Sequence, residues 1–228
     1  MNNYSQGLIT AFINIRGQTG LPLSKQLQID QFIKDTFSEC NTIISYFSLI
    51  VNNSQNRYGT SSLVKNEFGV ENIVMDKEGR IIIFDVGDLT FGNMYIHSGT
   101  DSLARGRREN YFSETVPQLL INHKDSGFIG GDLNCIIEKE DATNNPESKI
   151  SPSLKRLIKT FKWSDSFRSL HPHSKVFSRY YSTERGEGAS RIDRGYHWGD
   201  LNVVQSKYIG LAFSDHLAFV TSLSLLIR

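Results

Sequence analysis

Phe128-Ile129-Gly130-Gly131-Asp132-Leu133-Asn134 decides how this chain is read. An apolar pair running into glycines predicts a strand over Gly127–Gly131, and the strand's end then presents a carboxylate and an amide. Side-chain alternation puts Asp132 and Asn134 on one side of the chain. An isolated copy of this step reads better as an Asx turn closing a strand. Two further stretches change the balance. Ser190-Arg191-Ile192-Asp193 sets a second acid in a strand, and Phe213-Ser214-Asp215-His216 sets an acid and a histidine just before a last apolar strand, Leu217–Leu225. Buried strand ends rarely carry acids without partners, so Asp132, Asp193, Asp215 and His216 together point to one polar pocket.

Outward from that centre, Leu8–Ile15 is rich in β-branched and aromatic residues and predicts a buried opening strand. Pro22 starts a helix over Leu23–Lys34, with Leu23, Leu27, Ile29, Phe32 and Ile33 near helical spacing. Strands are predicted at Ile43–Val51, Gly59–Lys65, Val70–Met75, Arg80–Val86 and Leu89–Ile96, and a helix kinked by Pro117 over Arg107–Ile121. A helix at Ser153–Phe161 precedes strands near Val176–Tyr180, Arg191–Tyr196 and Leu201–Gln205. Asp141–Ser151, rich in Asn, Pro and Ser, reads as a mobile surface loop. Many strands with few helices suggest two packed sheets with helices outside, in one domain over residues 1–228.

The 25 Lys and Arg against 24 Asp and Glu exclude a strongly basic polyanion binder, so any contact with nucleic acid must be local. Cys40 and Cys135 lack CxxC spacing and suggest free thiols in a reducing compartment, nuclear or cytoplasmic. No apolar run reaches the roughly 20 residues that span a bilayer, which predicts no membrane partner. His97, His123, His171, His173 and His197 have no zinc-type spacing and read as surface or structural residues.

Taken in order, Asn14 in the first strand, Tyr95 after Gly92-Asn93-Met94, Gly-Asp132-Leu-Asn134, Ser190-Arg-Ile-Asp193 and Ser-Asp215-His216 resemble the motifs of apurinic endonucleases and LINE-type retrotransposon endonucleases. The match runs from about Leu8 to Leu225, and the Ser190-Arg-Ile-Asp193 form is more like the non-LTR retrotransposon branch. This resemblance implies an α/β (α+β) fold, a four-layer DNase I-like sandwich of two mixed β-sheets with outer helices. It implies a Mg²⁺-dependent (or Mn²⁺-dependent) DNA endonuclease that leaves a 3′-hydroxyl, within a longer reverse-transcriptase polypeptide. In those roles Asp132 polarises the attacking water and Asn134 holds it or the phosphate. His216 bonds a phosphoryl oxygen or moves a proton, oriented by Asp193, while Tyr95 donates to phosphate. Asp215 lies near the metal and Asn14 positions its ligands. Taken singly, Asn14 reads better as a turn residue, Tyr95 as a half-buried aromatic and Asp193 as a surface partner of Arg191 or Arg194. Arg105, Arg107 and Arg108, with Arg179, Arg185, Tyr181 and Ser190, are the candidates for contact with nucleic acid.

The chain departs from the family after its first helix, where the strand bearing the metal-binding glutamate is missing. Glu39 stands nearby in polar, turn-like sequence, a poor substitute. Losing a carboxylate weakens a site for a hard cation that has few ligands to begin with. The alternative reading follows from that loss: a catalytically inactive remnant, at most a weak DNA-binding module. A phosphatase or RNA-cleaving member of the same fold is a third.

Overall fold

The computed structural model describes residues 8–12, 23–36, 47–53, 59–65, 68–183 and 186–225; Asn14, Glu39, Cys40 and Arg185 lie outside them. In chain order the elements are β1 (Leu8–Phe12), α1 (Leu23–Thr36), β2 (Phe47–Asn53), β3 (Gly59–Lys65), β4 (Val70–Met75), β5 (Ile81–Val86), β6 (Leu89–Tyr95), α2 (Ser102–Asn110) and α3 (Val116–Leu120). Then come β7 (Gly127–Asp132), α4 (Pro152–Thr160), β8 (Ser164–Asp165), α5 (Ser166–Leu170), β9 (Arg179–Thr183), β10 (Gly186–Ser190), β11 (Asp193–Trp198), β12 (Leu201–Ile209) and β13 (Ala218–Leu225).

Two sheets carry the architecture. One has the order β4-β5-β6-β7-β11-β8, with β6 and β7 parallel and its other pairs antiparallel; the second has the order β1-β13-β12. β2 and β3 form a hairpin, as do β9 and β10. Alternation along β7 separates the layers. Phe128 points between the sheets to join Leu89, Phe219 and Leu223, while Ile129 points the other way into the core under α2, α3 and α4, with Met94, Phe112, Leu154 and Tyr196. Phe32 of α1 packs on Ala218 and Val220 from the far side of the smaller sheet. The resulting order is helix, sheet, sheet, helices. Burying each such large apolar side chain contributes roughly 1.5–3 kcal/mol. Gly130 is needed where the sheets approach, since a Cβ there would lie 2.3 Å from the Arg194 carbonyl and 2.5 Å from the Phe12 ring.

Among the described residues β1 pairs only with β13; residues 37–46, where the glutamate-bearing strand was expected to be missing, lie outside them. Several sequence expectations shift. The helix expected over Arg107–Ile121 begins at Ser102, and a π-turn at Tyr111–Thr115 precedes Pro117. Proline lacks an N–H and its ring crowds the carbonyl one turn back, so the wider turn lets the helix rewind instead of breaking. Asp141–Ser151 is not a loose loop: Asp141 is 1% exposed, and buried Ser151 caps α4 by accepting from the Leu154 N–H. β8, α5 and β10 were not foreseen. The strand expected at Val176–Tyr180 starts at Arg179, and the one expected at Arg191–Tyr196 starts at Asp193.

Candidate active site

β6, β7 and β11 end side by side, and their register places Tyr95 opposite Asp132 and Asp132 opposite Asp193. Residues facing each other in a ladder share a face. A tyrosine and two aspartates therefore form a row on the side of the larger sheet that looks toward the smaller one. His216 reaches the row from that smaller sheet, in the turn just before β13. The ligand atoms of Asp132, Asp193 and His216 lie within 4.8 Å of one another, and all three residues are buried. Residues more than 80 positions apart thus share one small pocket.

Within the pocket the His216 Nδ1–H donates to Asp193 Oδ2 at 2.8 Å, which aims Nε2 away from Asp193. Burial opposes charging the imidazole, yet the hydrogen bond to Asp193 and the charges of Asp193, Asp132 and Asp215 outweigh it, so the ring is held above its usual value. Asp193 is not the surface partner of Arg191 or Arg194. Alternation along β11 turns Arg194 to the opposite face, where both arginines are 1% exposed and bind Asp141 and Asp165.

Asn134 reaches Asp132 by a route that strand alternation does not describe. β7 ends at Asp132, Asn134 takes a left-handed conformation (φ 51°), its N–H donates to Asp132 Oδ1 at 3.0 Å, and its Nδ2 donates to the Ile96 carbonyl at 2.9 Å. Asparagine tolerates that backbone better than most residues. Tyr95 is half-buried, with the Arg80 guanidinium 5.6 Å from its ring centre.

Asp215 stands at the rim, and Arg179 Nε lies 3.5 Å from its carboxylate. Arg105 and Arg107 are exposed on α2. Arg108 is not on that surface: it is 3% exposed, and its Nη1 donates to the His97 and Gly99 carbonyls, so burial keeps it from a phosphate. Ser190 is likewise buried, its carbonyl taken by the Ser178 N–H. Asn14 and Glu39, outside the described residues, are not assigned a place.

Structures similar to this one carry the fold. An AP endonuclease from Archaeoglobus fulgidus aligns over 96% of this chain and 100% of its own, with a TM-score of 0.72 and 15% identity. A 3′-5′ exonuclease, NExo, from Neisseria meningitidis aligns over 94% and 98%, with a TM-score of 0.69 and 15% identity. The chain has the DNase I-like fold. TDP2 from Caenorhabditis elegans shares it, with a TM-score of 0.65 and 18% identity over 96% of this chain and 74% of that one. No protein-family model matches the sequence, and no curated protein sequence does. At such identities the likeness speaks for the fold, so the chemistry must be argued from the side chains.

Two adjacent buried carboxylates repel each other and demand positive charge nearby. His216 supplies part of it. The donor set also fits a small hard cation: aspartate oxygens within 4.8 Å span about the width of a divalent ion's ligand shell, whose opposite oxygens are roughly 4 Å apart. Sequence reasoning missed Ser178, Arg80 and the Asp141–Asp165 pair, none of which stands in a motif.

Proposed function

We propose that this chain is a hydrolase of phosphodiester bonds in DNA, a divalent-metal endonuclease related to those of non-LTR retrotransposons. The observation that supports this is the meeting of Asp132, Asp193 and His216, drawn from two sheets, in one buried cluster. Phosphodiester hydrolysis needs a water made nucleophilic and relief of charge on the phosphoryl oxygens. Asp132 takes the proton from that water or polarises it, and Asn134 beside it holds the water or a phosphate oxygen. His216, whose protonated form Asp193 favours, donates to a phosphoryl oxygen and so stabilises the charge that develops there. Tyr95, in the same row as Asp132, donates its hydroxyl to the phosphate. Asp132, Asp193 and Asp215 are the residues that would hold Mg²⁺ or Mn²⁺, which supplies Lewis acidity at the phosphate when bound. Arg105, Arg107 and Arg179 provide local positive charge for the DNA backbone in a chain whose charges otherwise balance.

Purified protein is expected to nick supercoiled plasmid in Mg²⁺ or Mn²⁺, to stop in EDTA, and to lose activity in Asp132→Ala and His216→Ala. An intact plasmid at high protein concentration with either metal overturns the endonuclease reading. DNA retention that is salt-dependent yet indifferent to EDTA and to both substitutions would instead mark a binding remnant.

A further inference from the structure

Ser178, just before β9, is fully buried at 0% exposure and uses every polar atom it has. Its N–H donates to the Ser190 carbonyl at 3.1 Å, and its carbonyl accepts from the Leu217 N–H at 2.7 Å. Its Oγ accepts from the Ile192 N–H at 3.0 Å and the Asp193 N–H at 2.9 Å, while the hydroxyl hydrogen faces the Ser190 carbonyl at 3.4 Å. A hydroxyl can donate one bond and accept two, so this one is saturated.

These partners belong to the two segments that bear the Asp193–His216 pair. Ser190 ends β10 and Asp193 begins β11, so the chain turns between them, and there the Ile192 and Asp193 N–H groups find their acceptor in the Ser178 hydroxyl. Leu217 follows His216 directly, and the neighbouring residue Arg179 forms a backbone bridge with His216 itself. The Asp193–His216 hydrogen bond at 2.8 Å joins the same two segments through their side chains.

We infer that Ser178 is a positioning residue, whose hydroxyl holds the Asp193 backbone at the height from which its carboxylate meets the His216 imidazole. Its part in catalysis rests on the hydrolase reading above; the positioning does not. Replacing the hydroxyl by hydrogen leaves two buried N–H groups unpaired in the corner, and the corner relaxes toward other acceptors. The backbone bonds through the Ser178 N–H and carbonyl survive, so the sheets stay assembled. The carboxylate then loses its register with the ring.

The test is Ser178→Ala in the full chain, read first by proton NMR. The imidazole N–H shared with Asp193 gives a downfield resonance, assigned by its disappearance in His216→Gln. It is expected to move upfield or vanish by exchange in Ser178→Ala, to persist in Ser178→Thr, which keeps a hydroxyl, and to weaken in Ser178→Cys, whose sulfur is the poorer acceptor. Ser206→Ala removes another buried serine and is expected to leave it in place. Plasmid nicking by Ser178→Ala is expected to lose about 10- to 100-fold in kcat with KM nearly constant, the mark of misplaced groups and not of lost binding. An unchanged resonance in folded Ser178→Ala overturns the proposal, as does an equal change in Ser206→Ala. If the parent chain cuts no plasmid, the hydrolase reading fails and the resonance still decides the positioning.

Discussion

Asp141→Asn tests the cluster that backs the corner bearing Asp193. Asp141 is 1% exposed and accepts from Arg168 at 2.9 Å, from Arg191 Nε at 2.9 Å and from Arg194, while its carbonyl accepts the Arg191 N–H at 2.8 Å. Asp165 bonds Arg191 and Arg194 and also caps α5. The substitution preserves shape but removes the central charge, leaving Arg191 and Arg194 with the single carboxylate of Asp165 and Arg168 with backbone carbonyls. Breaking a buried ion pair from one side costs about 3–5 kcal/mol, because the remaining charge stays desolvated. The exposed edge of Arg168 moderates its own share, whereas Arg191 and Arg194, both 1% exposed, have no route to water. Against a total stability of about 5–15 kcal/mol this is a large fraction.

For a chain of this size it corresponds to a fall in Tm of roughly 6–20 °C. Denaturant titration should show a lower midpoint with an unchanged slope. Burial pushes the Asp141 carboxyl up, but Arg194 and Arg191 together hold it well below the usual carboxylate range. A depressed acid stabilises the fold fully above its unfolded value, about 3.9, and loses that contribution as pH falls through the folded value. The gap between parent and variant should therefore be flat from about pH 5 to 8 and close only in strong acid. A Tm change under about 2 °C at pH 7 would show that the cluster does not hold the corner together.

His216 carries the opposite sign. In EDTA, Asp193→Asn should lower the His216 titration seen by NMR, because Asp132 and Asp215 then oppose burial without the Asp193 hydrogen bond and charge; a titration that does not fall refutes the assignment. The stabilisation from this pair is complete below the unfolded value, about 6.5, and fades as pH rises through the folded one, so melts of parent and Asp193→Asn should converge at alkaline pH. Gly131→Ala should cost about 1–3 kcal/mol or more by denaturant titration, since a Cβ would lie 2.0 Å from the Met94 carbonyl at φ 132°; a neutral variant would mean that β7 sits differently. Tyr95→Phe keeps the ring and removes the hydroxyl, and should slow nicking by about 100-fold with little change in Tm, whereas full activity would return Tyr95 to a packing role.

What the sequence made legible was local. An apolar run that ends in Gly-Asp, or that begins after Asp-His, announces a strand end with polar tips, and the spans Gly59–Lys65 and Val70–Met75 fall where alternation and turn residues put them. What it hid was charge that pairs across long separations. Asp141 lies in a stretch whose Asn, Pro and Ser read as solvent loop, and only the folded chain brings Arg191 and Arg194 to it. β10, Gly186–Ser190, lacks the β-branched residues that mark strands and forms because β9 is there to pair with it. Ser190-Arg191-Ile192-Asp193-Arg194 shows how much a motif leaves unsaid. Alternation sends Asp193 toward His216 between the sheets and Arg194 to the far face, and Arg191 anchors beside it. The same few residues thus supply the site with its acid and the fold with the bolt behind it. A loss of activity on changing either arginine would therefore report a moved carboxylate before it reported a lost contact with substrate.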